Sequence, residues 1–203
     1  WRVGTSLGGQ ESIWELMKNG NFVAIGWADL GNLADIPSDQ DLRDTVRQSL
    51  EKTYSMQPNV ASRKAGEIRN FFKGVSEGDF VLAADGKRIL GVGRVTGPYQ
   101  FDPASHSEAP HRRAVNWLSL DPWELPETEG LRTTVVEISD ANNLLVTERR
   151  VAFPSPSSGS TSKPTMPNQA PVALPLNIIL FGPPGTGKTY RLRNEFMEKF
   201  FTD

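Results

Sequence analysis

The chain has 203 residues, of which 37% are hydrophobic and 23% charged, with a net charge of −2 and no cysteine. These values describe a soluble globular protein with room for one ordinary domain plus a remainder, and they exclude disulfides and thiolate-held metal. The net charge argues against a strong, sequence-blind nucleic-acid binder, so any nucleic acid must be gripped locally. No apolar run approaches the roughly 18 residues of a spanning helix, and no signal segment opens the chain. The expectation is a cytoplasmic protein without a membrane partner.

Trp1–Gly4 is predicted as a first strand, entering a loop from Thr5 to Gln10. A helix is expected from Glu11 to Asn19, with Ile13, Leu16 and Met17 on one face and Gly20 as its stop. Phe22–Trp27 reads as a buried second strand, followed by a loop over 28–33. Ser38 has the character of an N-cap for a helix through Tyr54, with Leu42, Val46 and Leu50 along one stripe. Pro58-Asn59 breaks it, and a further helix over Val60–Phe72 buries Ala61, Ala65 and Ile68.

From Gly78 the period becomes that of strands. Phe80–Ala84 and Ile89–Val95 flank Asp85-Gly86, a favoured hairpin turn. Gly91 and Gly93 share one face and predict a close backbone approach or a sharp bend there. Arg112–Leu120 alternates as another strand, and 134–138 is a strand or a short helix. The fold class expected for residues 1–150 is α+β, a small twisted β-barrel flanked by helices. Between Phe153 and Pro175 six prolines accompany Ser, Thr and Gly, the composition of an extended tether, here 151–176.

The tether leads to the apolar run Ile178–Phe181 and then to Gly182-Pro183-Pro184-Gly185-Thr186-Gly187-Lys188-Thr189. This is P-loop spacing between a strand and a helix: Gly182, Gly185 and Gly187 let backbone N–H groups curl around phosphates, Lys188 reaches the terminal phosphates, and the Thr189 hydroxyl ligates Mg²⁺. The expected cofactors are GTP or ATP with Mg²⁺, used by the full NTPase. No second acidic metal ligand or arginine finger follows before Asp203, so 177–203 is read as the start of an NTPase domain and this chain as a non-catalytic binding module.

Ala24-Ile25-Gly26-Trp27, Gly78–Val81, Gly91–Tyr99 and His111–Trp117 together resemble an EVE domain, of the PUA/YTH-like superfamily of modified-base readers. Joined by a tether to an AAA+ type P-loop, the arrangement is similar to the N-terminal half of an McrB-type restriction motor. The resemblance implies a domain that recognises modified double-stranded DNA, a GTP-hydrolysing AAA+ homo-oligomer and a nuclease partner of McrC type. It implies 5-methylcytosine or 5-hydroxymethylcytosine as ligand, with N6-methyladenine as the rival and an RNA-binding module as the alternative from another class.

Such a reader must extrude the base, stack on its faces and bond its edge. Trp27, at the end of the second strand, is the candidate stacking residue, where related YTH readers keep a cage tryptophan; its alternative is a core position. Tyr99 and Phe101 follow the Gly-rich strand in an expected loop at the same mouth, though Tyr99 could instead pack a turn. Ser6 and Asp29 are the candidates for the base edge, since Asp accepts from the exocyclic amine of cytosine or adenine. His111, Arg112 and Arg113 form the densest basic cluster and with Arg94 could meet phosphates; the alternative is a solvated strand edge. Trp14 and Trp117 lie in apolar-periodic segments and are expected in the core.

Overall fold

A computed structural model describes residues 1–9, 11–104 and 108–152, so the tether beyond 152, the strand expected before the P-loop and the P-loop itself (Gly182, Gly185, Gly187, Lys188 and Thr189) lie outside the described residues. The described chain is α+β. Its seven-stranded, mainly antiparallel sheet runs, strand by neighbouring strand, Phe22–Ile25, His111–Ser119, Arg88–Phe101, Phe80–Asp85, Arg2–Gly4 and Val135–Val136, with Trp123–Glu124 paired to Arg88–Phe101.

β1 (Arg2–Gly4) lies parallel to β5 (Phe80–Asp85), with Gly4 opposite Ala84. Glu11 and Ser12, expected to open a helix, instead form the short strand β3 (Glu11–Ser12), which pairs with β2 (Ser6–Leu7) in the stretch expected as a loop. Gly8 and Gly9 take left-handed φ values of 57° and 78°, a conformation that favours glycine and lets the chain double back here. The Ile13 amide then donates to the Thr5 carbonyl at 2.7 Å, closing the excursion. Helix α1 (Trp14–Gly20) starts only after it and ends on Asn21, left-handed at φ 54°.

β4 (Phe22–Ile25) is shorter than its apolar run and stops before Gly26. Helix α2 (Asp39–Thr53) begins as expected, with the Ser38 hydroxyl accepting from the Asp41 amide at 3.1 Å and acidic residues in its first turn. It buries Leu42, Val46 and Leu50. Helix α3 (Pro58–Arg69) has Pro in its first turn, where the missing N–H is no loss, and runs into a π turn over Asn70–Gly74 that buries Phe71 completely.

β6 (Arg88–Phe101) continues well past the expected end at Val95. Its pairing with β7 (His111–Ser119) is interrupted between Val95 and Tyr99. Pro98 falls in that interruption, where no ladder donor is needed, and the strand resumes through Phe101. A Cβ on Gly93 would overlap the Val115 side chain, and one on Gly91 would come within 2.7 Å of the Trp14 ring. The close approach at these glycines is thus made by Trp14 over Gly91 and by Val115, with Trp117 behind it, over Gly93; the two indole rings meet edge to face at 5.2 Å.

The remaining elements are β8 (Trp123–Glu124), β9 (Val135–Val136) and helix α4 (Ala141–Ala152), which extends into the stretch read as tether. Successive residues of β5 serve different cores. Val81 joins Val3, Met17, Leu50 and Phe71, while Leu82 joins Ile89, Val92 and Trp123 in a smaller cluster against which Val146 of α4 packs. No helix among the described residues is long and apolar enough to cross a membrane.

Candidate functional site

A cavity of about 890 Å³ opens where β1 runs into β2, beside the end of β4, the β5–β6 turn and the segment 131–134. Its walls include Thr5, Ser6, Trp27, Tyr54, Met56 and Leu131, and the charged residues Arg2, Lys64, Arg132, Glu11, Asp85 and Glu108. The size lies within the range of small-molecule pockets, about 300–1,000 Å³. Gly26 keeps the walls together. A Cβ there would sit 3.2 Å from both the Glu108 carbonyl oxygen and a Leu7 methyl, so a side chain would push two walls apart.

Trp27 has a left-handed backbone, φ 67° and ψ 51°, which costs a non-glycine residue about 1–2 kcal/mol. It begins a single 3₁₀ turn over Ala28–Leu30, and the loop is held at several points. The His111 Nε2 lies 3.1 Å from the Trp27 carbonyl oxygen. The Leu33 amide donates to the Tyr99 hydroxyl at 3.4 Å, and the Asp29 amide to the Tyr54 hydroxyl at 3.3 Å.

Arg2 forms part of the cavity wall although only 2% exposed. Its guanidinium donates to the carbonyls of Gly130 (2.7 Å), Thr133 (3.2 Å) and Gly86 (2.9 Å). Burial lowers its pKa, and Asp85 opposes that effect. Lys64 donates to Glu67 (2.7 Å), to the Arg132 carbonyl (3.3 Å) and to the Thr134 hydroxyl (3.2 Å). Together these two cations fix the turn that leads into β9.

Of the residues singled out in the sequence, Ser6 and Trp27 meet at this cavity. Asp29 is exposed and is not part of its wall. Tyr99 and Phe101 lie in β6 and not in a loop, opposite Arg113 and His111 on β7, and do not line the cavity. Their rings pack on His111, at 5.9 and 5.2 Å. Arg94 is exposed, lies over the Phe80 ring at 4.4 Å and donates to the Gly78 carbonyl at 3.2 Å.

The basic cluster is corrected most. β7 lies between β4 and β6, so it is no edge, and His111, Arg112 and Arg113 are 0%, 8% and 6% exposed. Arg112 donates to the Ala109 carbonyl and to Asp102, and Arg113 to the carbonyls of Phe71 and Phe72. These contacts lie within the fold, because a buried cation needs partners close by. Sequence reading missed Glu11, Lys64, Asp85, Glu108 and Arg132 as cavity residues; only the turn residue Gly86, beside Asp85, carried a local signal. Among the described residues, no group of three or more His, Asp and Glu suited to a metal ion is found.

His111 is held neutral: burial lowers its pKa from 6.5, and the bond to the Trp27 carbonyl opposes that effect. Tyr99 is pushed up to about 12, mainly by burial. A histidine with a depressed folded pKa binds fewer protons than the unfolded chain near pH 6.5, so stability rises with pH there. Its contribution is complete above the unfolded value and is lost as pH falls through 6.5 toward the folded value. Urea unfolding between about pH 5 and 6.5 should show this slope, and His111→Gln should reduce it.

The class defined by this fold and cavity is an α+β domain whose mainly antiparallel sheet presents a mixed-polarity cleft beside a conformationally strained tryptophan. The chain belongs to the DUF8426 family, a domain of unknown function, which matches residues 1–137. That span takes in all the residues of the cavity wall and stops before α4. No curated protein and no solved structure matches the chain.

Proposed function

We propose that this domain reads a modified base in duplex DNA, taking the extruded base into the cleft beside Trp27. The observation carrying the reading is the convergence of Ser6, from β2, and Trp27, from the turn after β4, on one cavity of suitable size. The indole would stack on the base, and the Ser6 hydroxyl would bond its edge. Asp29 lies off the cavity, so Asp85 or Glu108 is the better acceptor for an exocyclic amine. Arg94, which is exposed, stays a candidate for flanking phosphates, and Arg132, exposed on the wall, takes the place of His111, Arg112 and Arg113. The finer architecture proposed is a barrel of PUA and EVE type: β1 and β4, not neighbours in the strand order, touch, which supports a sheet curled on itself.

The ligand proposed is 5-methylcytosine or 5-hydroxymethylcytosine, with N6-methyladenine second. The reader would serve a cytoplasmic, McrB-like restriction motor in which the P-loop binds GTP or ATP with Mg²⁺ and an McrC-type nuclease cuts. The test is binding to matched duplexes carrying cytosine, 5-methylcytosine, 5-hydroxymethylcytosine or N6-methyladenine. A modification preference is expected, and Trp27→Ala should weaken the preferred duplex by about 5- to 150-fold, the loss of one base–aromatic stack. Equal binding of all four duplexes, unmoved by the substitution, would overturn the proposal.

A further inference from the structure

His111 is fully buried in β7, paired with Ile25 of β4 on one side and Phe101 of β6 on the other. Both its ring nitrogens are engaged, Nδ1 with the Tyr99 hydroxyl at 2.6 Å and Nε2 with the Trp27 carbonyl at 3.1 Å. The chemistry of the partners sets the direction of each bond. A carbonyl oxygen only accepts, so Nε2 carries the proton and donates. The neutral ring then accepts at Nδ1 from the Tyr99 O–H, and the Tyr99 oxygen in turn accepts from the Leu33 amide. The chain therefore runs from the Leu33 N–H through Tyr99 to His111, and His111 reaches the Trp27 carbonyl. It spans the loop from Leu33 at one end to Trp27 at the other.

We infer that His111 is the positioning residue for Trp27, its imidazole, oriented by Tyr99, holding the carbonyl whose left-handed backbone sets the indole beside the cleft. A left-handed tryptophan persists only where its surroundings over-determine it, and here the Trp27 carbonyl has two donors: the Leu30 amide of its own turn at 3.0 Å, and His111, which alone ties it to a buried strand. Tyr99, read from the sequence as a cage aromatic, acts one step back from the cavity. The inference concerns the loop geometry; only its binding arm rests on the reading of the cleft as a base site.

The two ring nitrogens can be tested separately in the full chain. The Asn amide nitrogen stands at about the reach of Nδ1 and the Gln amide nitrogen at about that of Nε2, so His111→Gln keeps a donor for Trp27 and His111→Asn does not. The readout is the Trp27 indole N–H resonance, assigned by its disappearance in Trp27→Phe, together with binding to the duplexes above. His111→Asn should move or broaden that resonance and reduce the modification preference to that of Trp27→Ala, whereas His111→Gln should retain both. Tyr99→Phe, which removes only a hydroxyl, should also disturb the Trp27 resonance. It decides the matter if neither His111 variant folds. An unchanged Trp27 resonance in Tyr99→Phe, or equal disturbance by His111→Asn and His111→Gln, would overturn the positioning role. If the wild-type chain prefers no modified duplex, the base-reader proposal fails while the resonance still tests the positioning of Trp27.

Discussion

Replacing Arg2 with Met should destabilise the domain by about 3 kcal/mol, a fall in Tm of roughly 6–12 °C for a domain of this size. The side chains are similar in length, so little apolar contact is lost. What changes is that the carbonyls of Gly130, Thr133 and Gly86 lose a charged donor. A buried ion pair can sometimes be exchanged for apolar residues at no net loss, because both charges leave together. Here the acceptors belong to the main chain and cannot leave. The Gly130 carbonyl keeps the Thr133 amide and hydroxyl, at 3.1 and 2.7 Å, but the link from that turn to the β5–β6 hairpin goes. The second consequence falls on the cleft, whose wall includes both Gly86 and Thr133. Thermal unfolding monitored by circular dichroism gives the first effect. A Tm within about a degree of wild type would show that the carbonyls are satisfied without Arg2.

The parts of the fold that could be read in advance are those in which local chemistry and burial agree. Helix α2 has its cap at Ser38 and its apolar stripe at Leu42, Val46 and Leu50, and both act as the pattern implies. The hairpin at Asp85-Gly86 and the tight packing at Gly91 and Gly93 were legible for the same reason. Helix α4 was not, because its pattern is inverted. Asn143 and Thr147 face inward while Leu144 and Leu145 are 43% and 42% exposed. Asn143 is buried to bond Glu127 and Glu129, a tertiary reason that no periodicity contains. Gly97 and Pro98 fall in an irregularity of a continuing strand where a loop was expected, so Tyr99 and Phe101 lie in that strand and away from the expected mouth. At the cleft, Ser6 and Trp27 were legible from their positions beside strands. Glu108, Lys64 and Arg132 were not, since only the folded chain brings those distant segments together.

The basic cluster gives the largest contrast between a surface and an interior reading, and a pair of substitutions separates them. Arg113→Met should destabilise the fold by about 2–4 kcal/mol, because it strands the Phe71 and Phe72 carbonyls in the π turn that ends α3. Arginine is well placed there, since its charge also opposes the negative end of that helix. Provided the variant is assayed well below its Tm, the salt dependence of duplex binding should be unchanged, because an internal cation releases no counterions from DNA. Arg132→Gln should behave in the opposite way. Its side chain is exposed, so stability should hold within about 0.5 kcal/mol. If it meets a phosphate beside the extruded base, the slope of log K against log salt should fall in magnitude by about one. The two measurements, unfolding and salt slope, are independent of each other. A reduced slope in Arg113→Met with unchanged stability would return the cluster to the surface role first expected of it, and would require Arg113 to leave the Phe71 and Phe72 carbonyls when DNA binds.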